Sequence, residues 1–433
     1  MIKQTYLFVA RIQKLQLNTT DVLAVLVVLE LFLILLSFFK FLYLQEPVNE
    51  YVSWPLIDAG GEETQRFRLG PVHAFSDFML PYIWASQENP WVLDDNHLAQ
   101  YPPVAVFLLK PFSFFPYAPA VSAFLVITVF VVTLSVFLVT KNLKFRERLL
   151  ICVPFGIGSV PIMMAFDRGN IIGLCSIFFS VFLIAVVKGN KRTATLSLIP
   201  LIALKIYPIF FLAVFLKLKW YKQAFTAIFV VIGISTYLFV ITPGDFVMTV
   251  QGWIRANLFA LPEQANRAEA IIAASLSELH IASPDEALRT ASAILLVWNA
   301  FRYLIIVAIV TTLIWKQNIE AAHLVLITAI AATVLYSAQL GYNWYWIPIF
   351  AAYSFAKISK NGNLRLFDFK GKYKVFLYSF WLFGVLSLPI GLHFPGSTTP
   401  VTAWIATLFG GFLVWQVIAN KNGSNGIMRG KNV

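Results

Sequence analysis

Apolar positions in this chain run together rather than alternating with polar ones. The stretches 22 to 44, 117 to 140 and 291 to 315 each hold the roughly 20 residues that a helix needs to cross about 30 Å of hydrocarbon. The same rule places further spans at 149 to 166, 170 to 187, 193 to 216, 223 to 242, 320 to 340, 344 to 357, 374 to 393 and 401 to 420. The run 193 to 216 is unlike the others, with basic clusters at both ends and Lys205 at its centre, followed by Tyr207 and Pro208. A lysine at mid-bilayer costs at least about 2.5 kcal/mol, whereas a broken helix is tolerated where the break faces protein. The stretch Leu204-Lys205-Ile206-Tyr207-Pro208 therefore predicts a turn between two short helices that enter and return, for a total of about twelve transmembrane or half-membrane helices. Residues 101 to 116 are apolar but carry four prolines and Lys110, which predicts an interfacial helix rather than a span.

Composition agrees with that pattern. Of 433 residues, 59% are hydrophobic and only 12% charged, so the expected fold class is an all-α polytopic membrane protein, one integral domain over 1–433. The net charge of +12 does not point to nucleic acid, because the basic residues gather in short connections. Lys141, Lys144, Arg146 and Arg148 fill one, Lys188, Lys191 and Arg192 another, and Lys217, Lys219 and Lys222 a third, so these are expected to be cytoplasmic. The first run follows Lys3, Arg11 and Lys14 and lacks a small-residue cleavage site, the pattern of a retained signal anchor. Two long connections carry acids instead and belong outside: 45–116, a large first outer loop ending in the interfacial helix, and 243–290, the second. Connections of this length usually do work, so any chemistry is expected to face outward. Cys152 and Cys175 lie in apolar runs and are expected to be small core residues.

Among the outer acids, Asp77 stands between Phe75 and Phe78 just before an apolar run, where partial burial tunes a carboxylate as a general base. Asp94, Asp95 and His97 in Asp-Asp-Asn-His offer hard-metal ligands, but at this short spacing a turn is the preferred explanation. Phe166-Asp167-Arg168-Gly169-Asn170 reads as a polar turn in which Asn170 caps the next helix. Arg168, beside a helix N-terminus, is also suited to hold a phosphate. Lys205 is a second cation in want of an anion, for which a lipid phosphate and Asp167 compete. Tyr342, Trp344, Tyr345 and Trp346 are expected as interfacial anchors, with stacking on a sugar ring as the alternative, and Tyr342 and Asn343 are carried as candidates for substrate contact. No nucleophile elbow, metalloprotease, P-loop or dinucleotide motif occurs, and the five histidines are scattered.

Taken in order, Asp77 in Ser-Asp-Phe, Asn89-Pro90-Trp91, Tyr101-Pro102-Pro103, Arg168-Gly169-Asn170, Lys205-Ile206-Tyr207-Pro208 and the Lys217, Lys219, Trp220 exit resemble the polyprenol-phosphate-mannose-dependent α-mannosyltransferase family. That family belongs to the GT-C superfamily of multispanning glycosyltransferases, and the resemblance extends from about residue 70 to 222. Between Ser337 and Pro348 the chain departs from the family's pattern by lacking two histidines. The resemblance implies a GT-C-like bundle with Asp77 as catalytic base and Arg168, Lys205 and Tyr207 at the donor phosphate. Tyr101, Asp167 and Asn170 are further candidates for substrate contact. It also implies a lipid-linked sugar donor, a glycan or glycolipid acceptor and a bilayer around the protein; it names no cofactor beyond the donor and leaves a divalent metal open. A bacterial plasma membrane with the site facing outward is the expected setting. The reading from another class is a lipid or glycolipid transporter in which Lys205 and Asp167 form an ion-coupling pair.

Overall fold

A computed structural model of the chain describes residues 76–92, 99–157, 169–257, 319–335 and 345–358, with isolated positions between 159 and 166 and between 283 and 314. The expected spans 22 to 44, 374 to 393 and 401 to 420 lie outside the described residues. Every regular element among the described residues is helical. In chain order these are α1 (Ser76–Ser86), α2 (Pro103–Leu109), α3 (Tyr117–Val139), α4 (Phe145–Cys152), α5 (Ile172–Val187), α6 (Lys191–Leu204), α7 (Leu212–Lys217), α8 (Tyr221–Ile241), α9 (246–257), α10 (Ala321–Leu335) and α11 (Trp346–Ile358). Among the described residues two helices, over Pro119–Val139 and Tyr221–Ile241, are long and apolar enough to cross a membrane. Both expose large apolar side chains, Phe130 on α3 and Phe229 on α8 among them, as a surface meeting lipid tails does.

The chain divides into two compact units. The first comprises residues up to 87, 106–181 and 345–398. Its helices approach closely through small residues. Gly173 on α5 meets α3 so tightly that a Cβ would lie 2.2 Å from the Thr128 methyl. One turn further on, the hydroxyls of Ser135 and Ser176 share a buried 2.9 Å hydrogen bond. Small and hydroxyl residues do this where lipid offers no hydrophobic drive between helices, leaving van der Waals packing and polar contacts to hold them. Cys152 and Cys175 are buried and in no disulfide with each other, as their sequence positions predict.

The expected span 149 to 166 is built differently. The helix begins earlier, at Phe145, where the Glu147 carboxylate reaches back to accept the Lys144 N–H at 3.2 Å, and Arg148 bonds back to the carbonyls of Leu143 and Lys141. Arg146 and Arg148 are thus helical rather than loop residues. Past Cys152 the helix widens into a π-turn, Val153–Ile157, at a stretch containing Pro154.

The second unit comprises 88–105, 182–344 and the residues from 399 on. Here α6 packs along α8, and a 3-10 turn, Tyr207–Phe211, packs on α10. Phe182, Phe211, Phe215 and Trp220 form its aromatic core, with ring centroids 5.2 to 5.9 Å apart. The broken segment expected around Lys205 is present: α6 ends at Leu204, Lys205 is extended at φ −145° and ψ 134°, and the chain resumes helically at Tyr207. The stretch 101 to 116 is likewise two pieces, α2 and a 3-10 turn over Lys110–Phe114, neither long enough to span.

Asn89-Pro90-Trp91 serves as a clamp between the two long connections. Asn89 Nδ2 donates to the Pro243 carbonyl and to Thr249 Oγ1, both at 2.8 Å, and Trp91 meets Phe239 edge-on at 5.1 Å. The facing helix, α9, is capped by Asp245, whose side chain accepts the Met248 N–H at 2.8 Å. Gly252 on α9 rides directly over the Trp91 backbone: a Cβ there would stand 1.8 Å from the Trp91 carbonyl oxygen. Backbone cannot swing aside as a flexible side chain can, so Gly252→Ala is expected to cost at least about 3 kcal/mol and to lower the thermal midpoint in detergent. Gly233→Ala on α8, with open space around its Cβ, is the control and is expected to hold or raise the midpoint. Equal midpoints for the two variants would contradict the clamp.

Candidate functional site

In the first unit, α1 carries Asp77 in its first turn, where the helix dipole favours a negative charge. The next residue fixes how the helix sits. Phe78 is completely buried, 4.8 Å from the Phe124 ring, 5.9 Å from Tyr117 and edge-on to Phe112. Tyr82 adds a hydrogen bond of 2.8 Å to the Phe115 carbonyl. Successive side chains stand about 100° apart around a helix, so seating Phe78 against α3 turns the partly buried Asp77 toward a different neighbour.

That neighbour is Asn170. The Asn170 Nδ2 donates to Asp77 Oδ2 at 2.7 Å, across 93 residues of sequence. Asn170 is delivered by a tight helix ending: the Gly169 N–H bonds the Phe166 carbonyl at 3.0 Å and the Asn170 N–H bonds the Ala165 carbonyl at 2.8 Å. This pairing needs a left-handed residue, and Gly169 supplies it at φ 63°. The Asn170 Oδ1 then accepts the Ile172 N–H at 3.0 Å and caps α5. The polar turn foreseen from Gly169 and Asn170 is therefore present, and Asn170 does a second thing the sequence did not disclose.

In the second unit, the Lys205 ammonium lies 4.0 Å from the centroid of the Tyr101 ring, a cation–π contact. The Tyr-Pro-Pro stretch sets the ring there: Pro102 and Pro103 are buried, and the Ala105 N–H closes back on the Pro102 carbonyl at 2.9 Å. Tyr207, expected beside it at a donor phosphate, is buried under α10 in the 3-10 turn.

The structure thus brings Asp77 to Asn170, and Lys205 to Tyr101. Arg168, Asp167, Tyr342, Asn343 and the Asp94 to His97 stretch lie outside the described residues. Tyr345 and Trp346 differ from the expected interfacial anchors. Both are buried at the start of α11, with Trp346 4.9 Å from Phe179, because a Trp-Tyr pair opening a helix is as useful for filling a core as for marking a membrane boundary. Among the described residues, no three His, Cys, Asp or Glu side chains gather as a metal group would require.

Comparison with known proteins adds one finding. The model of glycosyltransferase family 87 matches residues 99–338, more than half of the chain. The matched region holds Tyr101, Asn170, Lys205 and Tyr207 and begins after Asp77. No curated protein and no solved structure was found to match.

Proposed function

Since the chain belongs to glycosyltransferase family 87 and is a membrane glycosyltransferase, we propose that its donor is a polyprenyl phosphate sugar and that its acceptor is a glycan or glycolipid. Mannose, or another hexose or a pentose, is the sugar. The protein is a multi-pass component of a bacterial plasma membrane, and the reaction faces outward. Family membership does not favour the transporter reading, in which Lys205 and Asp167 would couple an ion to lipid movement.

The chemistry is one inverting displacement. Asp77 takes the proton from an acceptor hydroxyl while that oxygen bonds to the anomeric carbon from the face opposite the phosphate. The bond from the anomeric carbon to the phosphate oxygen breaks, and polyprenyl phosphate departs with the electron pair. A phosphate whose charge is neutralised is a competent leaving group without a protein acid, and Lys205 and Arg168 are the cations assigned to that task. Supporting this reading above all is the hydrogen bond from Asn170 to Asp77, which holds an outer-loop carboxylate by a neutral donor, as a general base requires.

The direct test uses purified protein in nanodiscs with polyprenyl phosphate mannose and a lipid extract of a bacterial envelope. Release of polyprenyl phosphate, stoichiometric with sugar appearing on an acceptor, is expected. Movement of the donor across a vesicle membrane with its sugar still attached, and no release, would overturn the reading in favour of transport.

A further inference from the structure

We infer that Asn170 is the positioning residue that aims Asp77 for proton abstraction, an inference that rests on reading Asp77 as the base. The two ends of an amide are nearly alike in shape, so which end faces a partner is decided by the surrounding hydrogen bonds. Here a backbone group decides it. The Ile172 N–H can only donate, and it points at one end of the Asn170 side chain from 3.0 Å, so that end is the oxygen. The end facing Asp77 is then the NH2, which suits an ionised carboxylate that can only accept. The amide cannot turn away to water, because Asn170 is 1% exposed and its own backbone is held on both sides, through Ala165 and Gly173.

A second Gly-Asn turn in the same chain shows that the turn itself does not need this contact. Gly189 at φ 70° ends α5 with the same bonding, Asn190 N–H to the Ala185 carbonyl at 2.9 Å. Asn190 Oδ1 then caps α6 by accepting the Thr193 N–H at 3.1 Å. The two turns share the helix ending and the cap, yet Asn190 is exposed whereas Asn170 is buried with its NH2 on a carboxylate. Capping alone thus explains Asn190 and leaves the burial and aim of Asn170 unexplained. Holding Oδ2 of Asp77 fixes the plane of the carboxylate, and with it the direction in which the base faces the acceptor hydroxyl.

The experiment separates cap from aim, because Asp caps a helix as well as Asn does. Asn170→Asp keeps the acceptor for Ile172 but replaces the donor with a second carboxylate against Asp77. Among the described residues, the ionisable groups on the elements packed most closely against α1 are Lys110 and Tyr117, with Tyr82 on α1 itself. In nanodiscs with polyprenyl phosphate mannose as donor, Asn170→Asp is expected to keep the helix cap and its donor KM within about twofold, with its thermal midpoint lowered only by the second carboxylate beside Asp77 and recovering as the pH falls. Its kcat at pH 7 is expected to fall by about a hundredfold, and the acid limb of its pH–rate profile to move up by at least about one pH unit, as for two carboxylates sharing a site. Asn190→Asp is expected to match the wild type in every readout. Wild-type kcat for Asn170→Asp, or a lower kcat with the acid limb unmoved, would overturn the inference. If Asn170→Asp is not recovered folded, Asn170→Ser decides instead: it retains a cap, so turnover about tenfold lower at an unchanged midpoint supports positioning, and wild-type turnover overturns it. Asp77→Asn run in parallel separates the two levels. If it is inactive while the Asn170 variants turn over normally, only the positioning role fails, whereas wild-type turnover by Asp77→Asn removes the base and the positioning role together.

Discussion

Asp77→Asn is expected to reduce sugar transfer by at least about a hundredfold, equivalent to about 2.7 kcal/mol of transition-state stabilisation, with expression and thermal midpoint retained. The substitution conserves size and leaves Phe78 seated among Phe112, Tyr117 and Phe124, so α1 keeps its position. What is lost is the group that accepts a proton. Asparagine can still bond to Asn170, which is why the variant removes the base without dismantling its surroundings. Asp94→Asn and Asp95→Asn are the comparison, and both are expected to retain most of their activity. Loss of transfer in either of these, with Asp77→Asn active, would move the chemistry to the Asp94-Asp95 pair.

Lys205→Met is expected to weaken donor use, raising donor KM and lowering kcat by a combined factor of about a hundred, the scale on which removing one preorganised charge partner acts. Acceptor KM is expected to stay within about twofold, because the acceptor hydroxyl approaches the sugar from the face opposite the phosphate. Methionine preserves most of the volume and the contact with the Tyr101 ring while deleting the charge. Steady-state kinetics with donor and acceptor varied in turn provide the check. Wild-type donor kinetics, or mutual rescue when Asp167→Asn and Lys205→Met are combined, would make the lysine a structural ion-pair partner instead.

How legible these parts were in the sequence depends on the range of the forces involved. The break at Lys205 could be read locally, since a charged residue followed by Tyr-Pro in an apolar run is costly for a straight helix. The Gly169-Asn170 turn could also be read locally, because helix endings and caps are matters of a few residues. The bond from Asn170 to Asp77 could not, as it joins residues 93 apart and depends on where α1 and α5 settle. The same holds for Asn89, whose partners Pro243 and Thr249 lie more than 150 residues along the chain. Sequence order marked Asn89-Pro90-Trp91 as part of a recurring set but gave no hint that it clamps one long connection to the other. Tyr345 and Trp346 illustrate the opposite failure: aromatic residues beside an apolar run look alike whether they face headgroups or, as here, Phe179.

The central claim, a single displacement on a lipid phosphate sugar with Asp77 as base, is tested most directly by the configuration at the anomeric carbon of the product. The protein in nanodiscs is given polyprenyl phosphate mannose labelled with carbon-13 at that carbon, and the product linkage is read by the one-bond carbon–proton coupling in NMR. The account predicts complete inversion relative to the donor. Retention would require a covalent sugar on the enzyme and a second displacement, and would contradict the role assigned to Asp77.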